Sequence, residues 1–167
     1  MERLERVPTG IPGLDELLEG GLPRGRITLV TGVAGSGKTT LGVQFLWAGA
    51  TQHREPGAYV TLEEEAGDLR AEMGRYGWEL GRLEEERQFC IIESPIPFEV
   101  SGVSVSMDEL LDTIHSRVLA LDAKRIVFDS VSALGLPDGD LIQLRLDLHQ
   151  LCAMLRVVGF TAFLLTE

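Results

Sequence analysis

The chain has no asparagine, only two cysteines and two lysines, and aromatic residues make up just 6% of its 167 positions. Cys90 and Cys152 are far apart, form no CxxC and each lies in an apolar stretch, which reads as two reduced core thiols rather than a disulfide or metal site. His53, His115 and His149 share no ligand spacing, so zinc-site chemistry is excluded as well. No apolar run approaches the roughly 18 residues of a membrane span. The opening stretch from Met1 to Arg6 alternates charges where a signal peptide would be apolar. The expectation is a cytoplasmic protein with no membrane partner. Positive charge is also short, with 15 Lys and Arg against 26 Asp and Glu and a net charge of -11, which disfavours a generic binder of nucleic-acid backbone. The missing asparagine and the excess of Arg over Lys fit depletion of thermolabile residues and fit a coding bias equally well.

What is present can fill a core: 44% of the residues are hydrophobic, and the length suits one domain over residues 1–167. Ile27 to Thr31, Ala58 to Leu62, Phe89 to Ile92, Ile126 to Asp129 and Thr161 to Thr166 read as short buried strands. Helical periodicity falls between most of them. The helices are expected at Lys38 to Ala50, Leu69 to Tyr76, Met107 to Leu121 and Ile142 to Val158, the third opened by a Ser106 and Glu109 capping box and the fourth stopping before Gly159. Strand and helix alternate without a repeat or low-complexity linker. This predicts an α/β fold, a mostly parallel sheet with helices on both faces, because parallel strands need crossover connections. Trp47 and Trp78 read as packing residues, and Glu84-Glu85-Glu86 as a solvated face.

One motif carries chemistry outright. Gly32-Val33-Ala34-Gly35-Ser36-Gly37-Lys38-Thr39 follows a strand and opens a helix, the setting in which a GxxxxGKT pattern becomes a phosphate cradle for ATP, with Thr40 extending it. Gly35 and Gly37 permit torsions that turn successive N–H groups toward phosphate oxygens, and the helix N-terminus adds donors and a favourable dipole. Lys38 is suited to reach the β- and γ-phosphates and Thr39 to offer its hydroxyl to Mg²⁺. Arg125-Ile126-Val127-Phe128-Asp129-Ser130 is an apolar strand ending in a carboxylate, which makes Asp129 the second candidate for the magnesium ion. Many P-loop ATPases place the water-orienting Glu directly after that Asp, but here the position holds Ser130. Glu63-Glu64-Glu65, after the second strand, can supply the group from the same sheet edge or can be a solvated acidic turn before a helix.

Taken together these stretches resemble the KaiC-like branch of the RecA superfamily of ATPases. The resemblance rests on Thr9-Gly10-Ile11-Pro12-Gly13-Leu14-Asp15 with Gly20-Gly21-Leu22-Pro23 and Gly25, on the cradle, on Tyr59-Val60-Thr61-Leu62-Glu63-Glu64, and on Asp129-Ser130. It implies a RecA-like core, makes Glu63 the catalytic carboxylate with Glu64 beside it, and assigns Asp129 to magnesium. Thr166, at the end of the last strand, takes a γ-phosphate-sensing role by the same resemblance. Domains of this family continue beyond the point matched by Glu167, with further strands and with basic residues that one subunit of a hexameric ring inserts into its neighbour's site. The expectations that follow are a core incomplete at its C-terminus, self-association, weak turnover and a regulatory or signalling role. Two other functions fit the superfamily. One is a DNA-dependent ATPase or recombinase, which the acidic loop holding Asp138 and Asp140 disfavours; the other is a nucleotide-gated scaffold with little turnover.

Overall fold

A computed structural model of the chain describes residues 4–93, 107–134 and 141–167. In order these contain β1 (Arg6–Val7), α1 (Leu14–Leu17), β2 (Leu22–Pro23), β3 (Ile27–Thr31), α2 (Lys38–His53), β4 (Gly57–Thr61), α3 (Ala66–Gly74), α4 (Leu80–Glu85), β5 (Phe89–Glu93), α5 (Met107–Leu121), β6 (Arg125–Asp129), a 3₁₀ turn (Val131–Leu134), α6 (Leu141–Val158) and β7 (Thr161–Thr166). Among the described residues β3, β7, β6, β4 and β5 form one sheet in that order, every pair parallel. No described helix is long and apolar enough to cross a membrane.

The apolar runs become central strands because they can be covered on both sides. Along β4, Ala58 and Val60 face a layer formed by α5 and α6, where Leu110, Ile114, Val118, Leu151 and Leu155 are buried. Tyr59 faces the opposite layer, with Val43, Phe45 and Leu46 of α2 and Leu69 and Met73 of α3. β6 and β7 alternate in the same way, with Val127, Phe163 and Leu165 on the α2 side and Ile126, Phe128, Ala162 and Leu164 on the other. This is the fold expected from the sequence, a parallel sheet between two helical layers. Trp47 and Trp78 stack at 6.1 Å between ring centroids and pack against the α2-side core. Cys90 and Cys152 are free and half-buried, and burial pushes the Cys90 thiol up to about 11, away from reactivity.

Several boundaries differ from the periodic reading. α2 runs three residues beyond Ala50 to His53; Arg54 then takes a left-handed conformation, φ 54°, ahead of Pro56. α3 starts at Ala66 rather than Leu69, because Glu93 from β5 accepts a hydrogen bond from the Ala66 N–H at 2.7 Å. It stops at Gly74, short of Tyr76. Of the Glu84–Glu86 run, Glu85 and Glu86 are exposed, but Glu84 receives a two-pronged contact from Arg70 at 2.7 and 2.9 Å that ties α4 to α3. Ser106, Asp138 and Asp140, named above for the capping box and the acidic loop, lie outside the described residues.

The N-terminal segment is bound to the core by polar anchors. β1 and β2 pair as an antiparallel ribbon, and the turn after β1 closes on the Asp15 carboxylate, which accepts from Thr9 N and Oγ1, both at 2.7 Å, and from Gly10 N at 3.1 Å. Burial works to raise the Asp15 carboxyl, but these donors outweigh it and hold the group below its usual range. Gly10 lies flat on α2, where an added Cβ would sit 2.2 Å from the Ala48 methyl. At the other end of the strands, the fully buried Arg125 donates to Glu55 at 2.7 Å and to the carbonyls of Pro8 and Phe45 at 2.9 and 3.0 Å. Burial again favours the neutral Glu55 acid, but hydrogen bonds and charge from Arg125 and Arg24 keep its carboxyl lowered.

Candidate functional site

Parallel strands end together, so the residues that follow β3, β4, β6 and β7 collect at one sheet edge. Between β3 and α2 the chain turns through Gly32 to Gly37. Gly35 and Gly37 have φ of 75° and 88°, torsions that residues with a Cβ rarely adopt. Because Gly37 caps α2 in a left-handed conformation, the N–H groups of Lys38, Thr39 and Thr40 open into the concavity without intrahelical partners. At the cradle's base a Cβ on Gly32 would lie 2.6 Å from Ser36 Oγ, while Val33, Ala34 and Ser36 form its exposed rim. Lys38 Nζ donates to the carbonyls of Gly32 and Val33 at 2.7 and 3.0 Å, which holds the ammonium over the loop. Gly32 N in turn donates to Thr166 O at 3.2 Å, so the end of β7 supports the cradle from below.

β6 delivers Asp129 beside the first turn of α2. Its Oδ2 accepts from Thr39 Oγ1 and from Tyr59 OH, each at 2.5 Å. The peptide bond from Asp129 to Ser130 is cis. Burial raises the Tyr59 phenol far above its usual range, and the Asp129 charge adds to the effect, so the hydroxyl stays protonated and is a permanent donor.

The segment after β4 is fixed by a small hydroxyl turn in which Glu64 N donates to Thr61 Oγ1 at 3.0 Å and Thr61 Oγ1 donates to Glu64 O at 2.8 Å. Register pairs Thr61 with Asp129, and Leu62 N donates to Asp129 O at 2.9 Å, which sets the glutamates next to the end of β6. Ser130 Oγ donates to Glu63 Oε2 at 3.2 Å and lies 2.6 Å from Ser132 Oγ. Ser130, which stands where a water-orienting Glu is common, therefore holds Glu63 instead. Glu63 is exposed and Glu64 half-buried. Burial, followed by the charges of Glu72, Asp129 and Asp68, raises the Glu64 carboxyl.

The structure thus brings Gly32 to Thr40, Asp129, Glu63 and Glu64 to one edge, with Thr166 under the loop. Tyr59, Ser130 and Ser132 join them; the first two lie within motifs quoted from the sequence, but none of the three is given a role there. A tyrosine two residues before Thr61, in an otherwise apolar strand, is a signal from which the first could have been found; the pairing of Ser130 with Glu63 depends on strand order and left no local trace.

The chain is similar to known proteins over nearly its whole length. A family model described as "ATPase: KaiC" matches residues 7–167. The circadian clock oscillator protein KaiC of Prochlorococcus marinus (strain MIT 9313) is 36% identical over 168 residues, covering 99% of this chain and 34% of that protein. The circadian clock protein KaiC3 of a Synechocystis strain is 40% identical over 167 residues, covering 98% of this chain and 33% of that one. The chain therefore spans about a third of the length of the curated relatives it matches. The crystal structure of a KaiC-like protein from the hyperthermophilic archaeon Pyrococcus horikoshii superposes with a TM-score of 0.88 at 42% identity, over 98% of this chain and 72% of that one. On a match of 161 residues, 7 through 167, together with this structural likeness, the chain belongs to the KaiC family of ATPases, ATP-binding P-loop proteins built on a RecA-like core.

Proposed function

We propose that the cradle from Gly32 to Thr40 binds ATP with Mg²⁺ and that Glu63 directs its hydrolysis. The observation that carries the reading is that Thr39, next to Lys38 in the chain, contacts Asp129, and that Ser130, next to Asp129, contacts Glu63. A divalent ion fits the residues present. Thr39 and Asp129 offer hard oxygen donors already in contact, beside a loop that is open at Gly35 and Gly37, where an added Cβ would meet nothing within 4 Å. Magnesium, held there by Thr39 and Asp129, would offset the negative charge of the phosphates.

The remaining work falls to the chain. Backbone N–H groups of the cradle and the start of α2 donate to phosphate oxygens, and Lys38 exchanges the Gly32 and Val33 carbonyls for the β- and γ-phosphates. Ser130 engages one carboxylate oxygen of Glu63, so the other accepts a proton from the attacking water. The water oxygen forms a bond to the γ-phosphorus as the bond to the β-phosphate oxygen breaks, leaving ADP and phosphate. Thr166, whose carbonyl accepts the Gly32 N–H, registers the γ-phosphate in this reading.

Release of radiolabelled phosphate from γ-labelled ATP tests the assignment. Glu63→Gln keeps ATP binding and loses turnover by about 10² or more. If Glu63→Gln hydrolyses at the wild-type rate while Glu64→Gln does not, the role moves to the half-buried neighbour. The relatives named as circadian clock proteins favour a regulatory or signalling output over metabolic turnover. We further propose that the active form self-associates as a ring in which neighbouring copies complete the site. Turnover per chain that rises with protein concentration supports this, and a concentration-independent rate counts against it.

A further inference from the structure

We propose that Tyr59 is the positioning residue for the metal-facing carboxylate, its buried hydroxyl holding Asp129 so that Thr39 is presented to the ion. The inference rests on the reading of Asp129 and Thr39 as the magnesium pair and extends it to a residue buried behind them.

Tyr59 is 1% exposed and sits in the middle of β4 facing α2. Register pairs it with Val127, two residues before Asp129 on the same face of β6, so a side chain as long as tyrosine is needed to reach along the sheet to the carboxylate. The ring packs in an apolar layer with Val43, Val127 and Leu165, where phenylalanine would serve equally well. Only the hydroxyl requires tyrosine, and its bond goes to Asp129 Oδ2 at 2.5 Å. α2 closes tightly over this strip, since a Cβ on Gly42 would lie 2.9 Å from Val127, 3.2 Å from Leu165 and 3.7 Å from the Tyr59 ring. The close approach brings Thr39 down onto the same oxygen from the other side.

Two hydroxyls from two elements thus converge on one carboxylate oxygen. Thr39 commits its hydrogen to Asp129, which leaves its lone pairs for a cation. Without the tyrosine donor, Asp129 can rotate about its terminal torsion, and Thr39 loses the acceptor that fixes its direction. Partners that hold metal ligands in this way change metal affinity by about 10- to 100-fold when removed.

Binding of mant-ADP, first in EDTA and then across a Mg²⁺ titration, tests the proposal with no turnover involved. Tyr59→Phe is expected to bind mant-ADP in EDTA like wild type, to melt within a few degrees of it, and to need at least about tenfold more Mg²⁺ for half of the metal-dependent gain. If Tyr59→Phe needs the same Mg²⁺ as wild type while Asp129→Asn loses the gain, Tyr59 only packs and the proposal is overturned, with the Asp129 assignment intact. If wild type shows no Mg²⁺-dependent gain, both readings fall. Should Tyr59→Phe not fold, the chain's two tyrosines, Tyr59 and Tyr76, allow a direct measurement. In Tyr76→Phe protein labelled with ¹³Cζ-tyrosine, the single remaining resonance should shift on addition of Mg²⁺ with ADP and again in Asp129→Asn. A resonance that stays put in both overturns the proposal.

Discussion

Glu64 and Glu55 are both carboxylates beside charged neighbours, yet their surroundings push them in opposite directions. Glu64 is partly desolvated and crowded by Glu72, Asp129 and Asp68, so its carboxyl is raised and the folded state holds that proton more tightly than the unfolded chain. Wild-type stability therefore falls as pH rises from the ordinary carboxyl value through the raised one. Glu64→Gln is expected to be the more stable protein at neutral pH, with the difference vanishing in acid, as urea melts at a series of pH values would show. Glu55 has the reverse sign: its carboxyl is lowered, so its contribution is full above the ordinary carboxyl range and is lost as pH drops through the depressed value. Glu55→Gln strands the fully buried Arg125 and is expected to cost about 3 kcal/mol near neutrality, shrinking toward zero in strong acid. Ser130 is informative in another way. Its hydroxyl donates to Glu63, so the carboxylate proposed to direct hydrolysis follows one strand and is steadied from the neighbouring one.

The stretch from Thr9 to Asp15 behaves as a clamp between elements. Asp15 closes the turn and Gly10 lets it lie against α2, the helix whose first turn carries Lys38 and Thr39. Gly10→Ala would force a methyl into Ala48 at a φ of 73° and is expected to cost about 1–3 kcal/mol and to loosen nucleotide binding, measurable by thermal melts with and without ATP. The sequence marked this stretch only as part of a resemblance. Its mechanical task depends on which helix lies beneath it. The five strands were legible because sheet residues covered on both faces read as unbroken apolar runs. The ribbon strands and α1 span two and four residues, too few for any period to register. α4 buries only Leu80 and Leu83 and is tied in through the Arg70 contact to Glu84, a partner far from it in sequence. The start of α3 was missed for a similar reason, its cap being a carboxylate from another strand.

For the molecule as a whole, strand order turns scattered residues into a site. Lys38, Tyr59, Glu63 and Asp129 meet because β3, β4, β6 and β7 run the same way and end at one edge. The cradle was readable as a contiguous string, whereas Tyr59 and Ser130 acquire their roles only through register between β4 and β6. The same edge is where a neighbouring copy would have to reach if assembly completes catalysis. The claim beneath all of this is that the Gly32 to Thr40 loop is a working phosphate cradle. Calorimetric titration of the chain with Mg²⁺ and ATP, set against Lys38→Ala, tests it most directly. Saturable 1:1 binding by wild type, weakened about tenfold or more in Lys38→Ala with the fold intact, is the expected result. Equal affinity in the two proteins, or no binding by either, contradicts it.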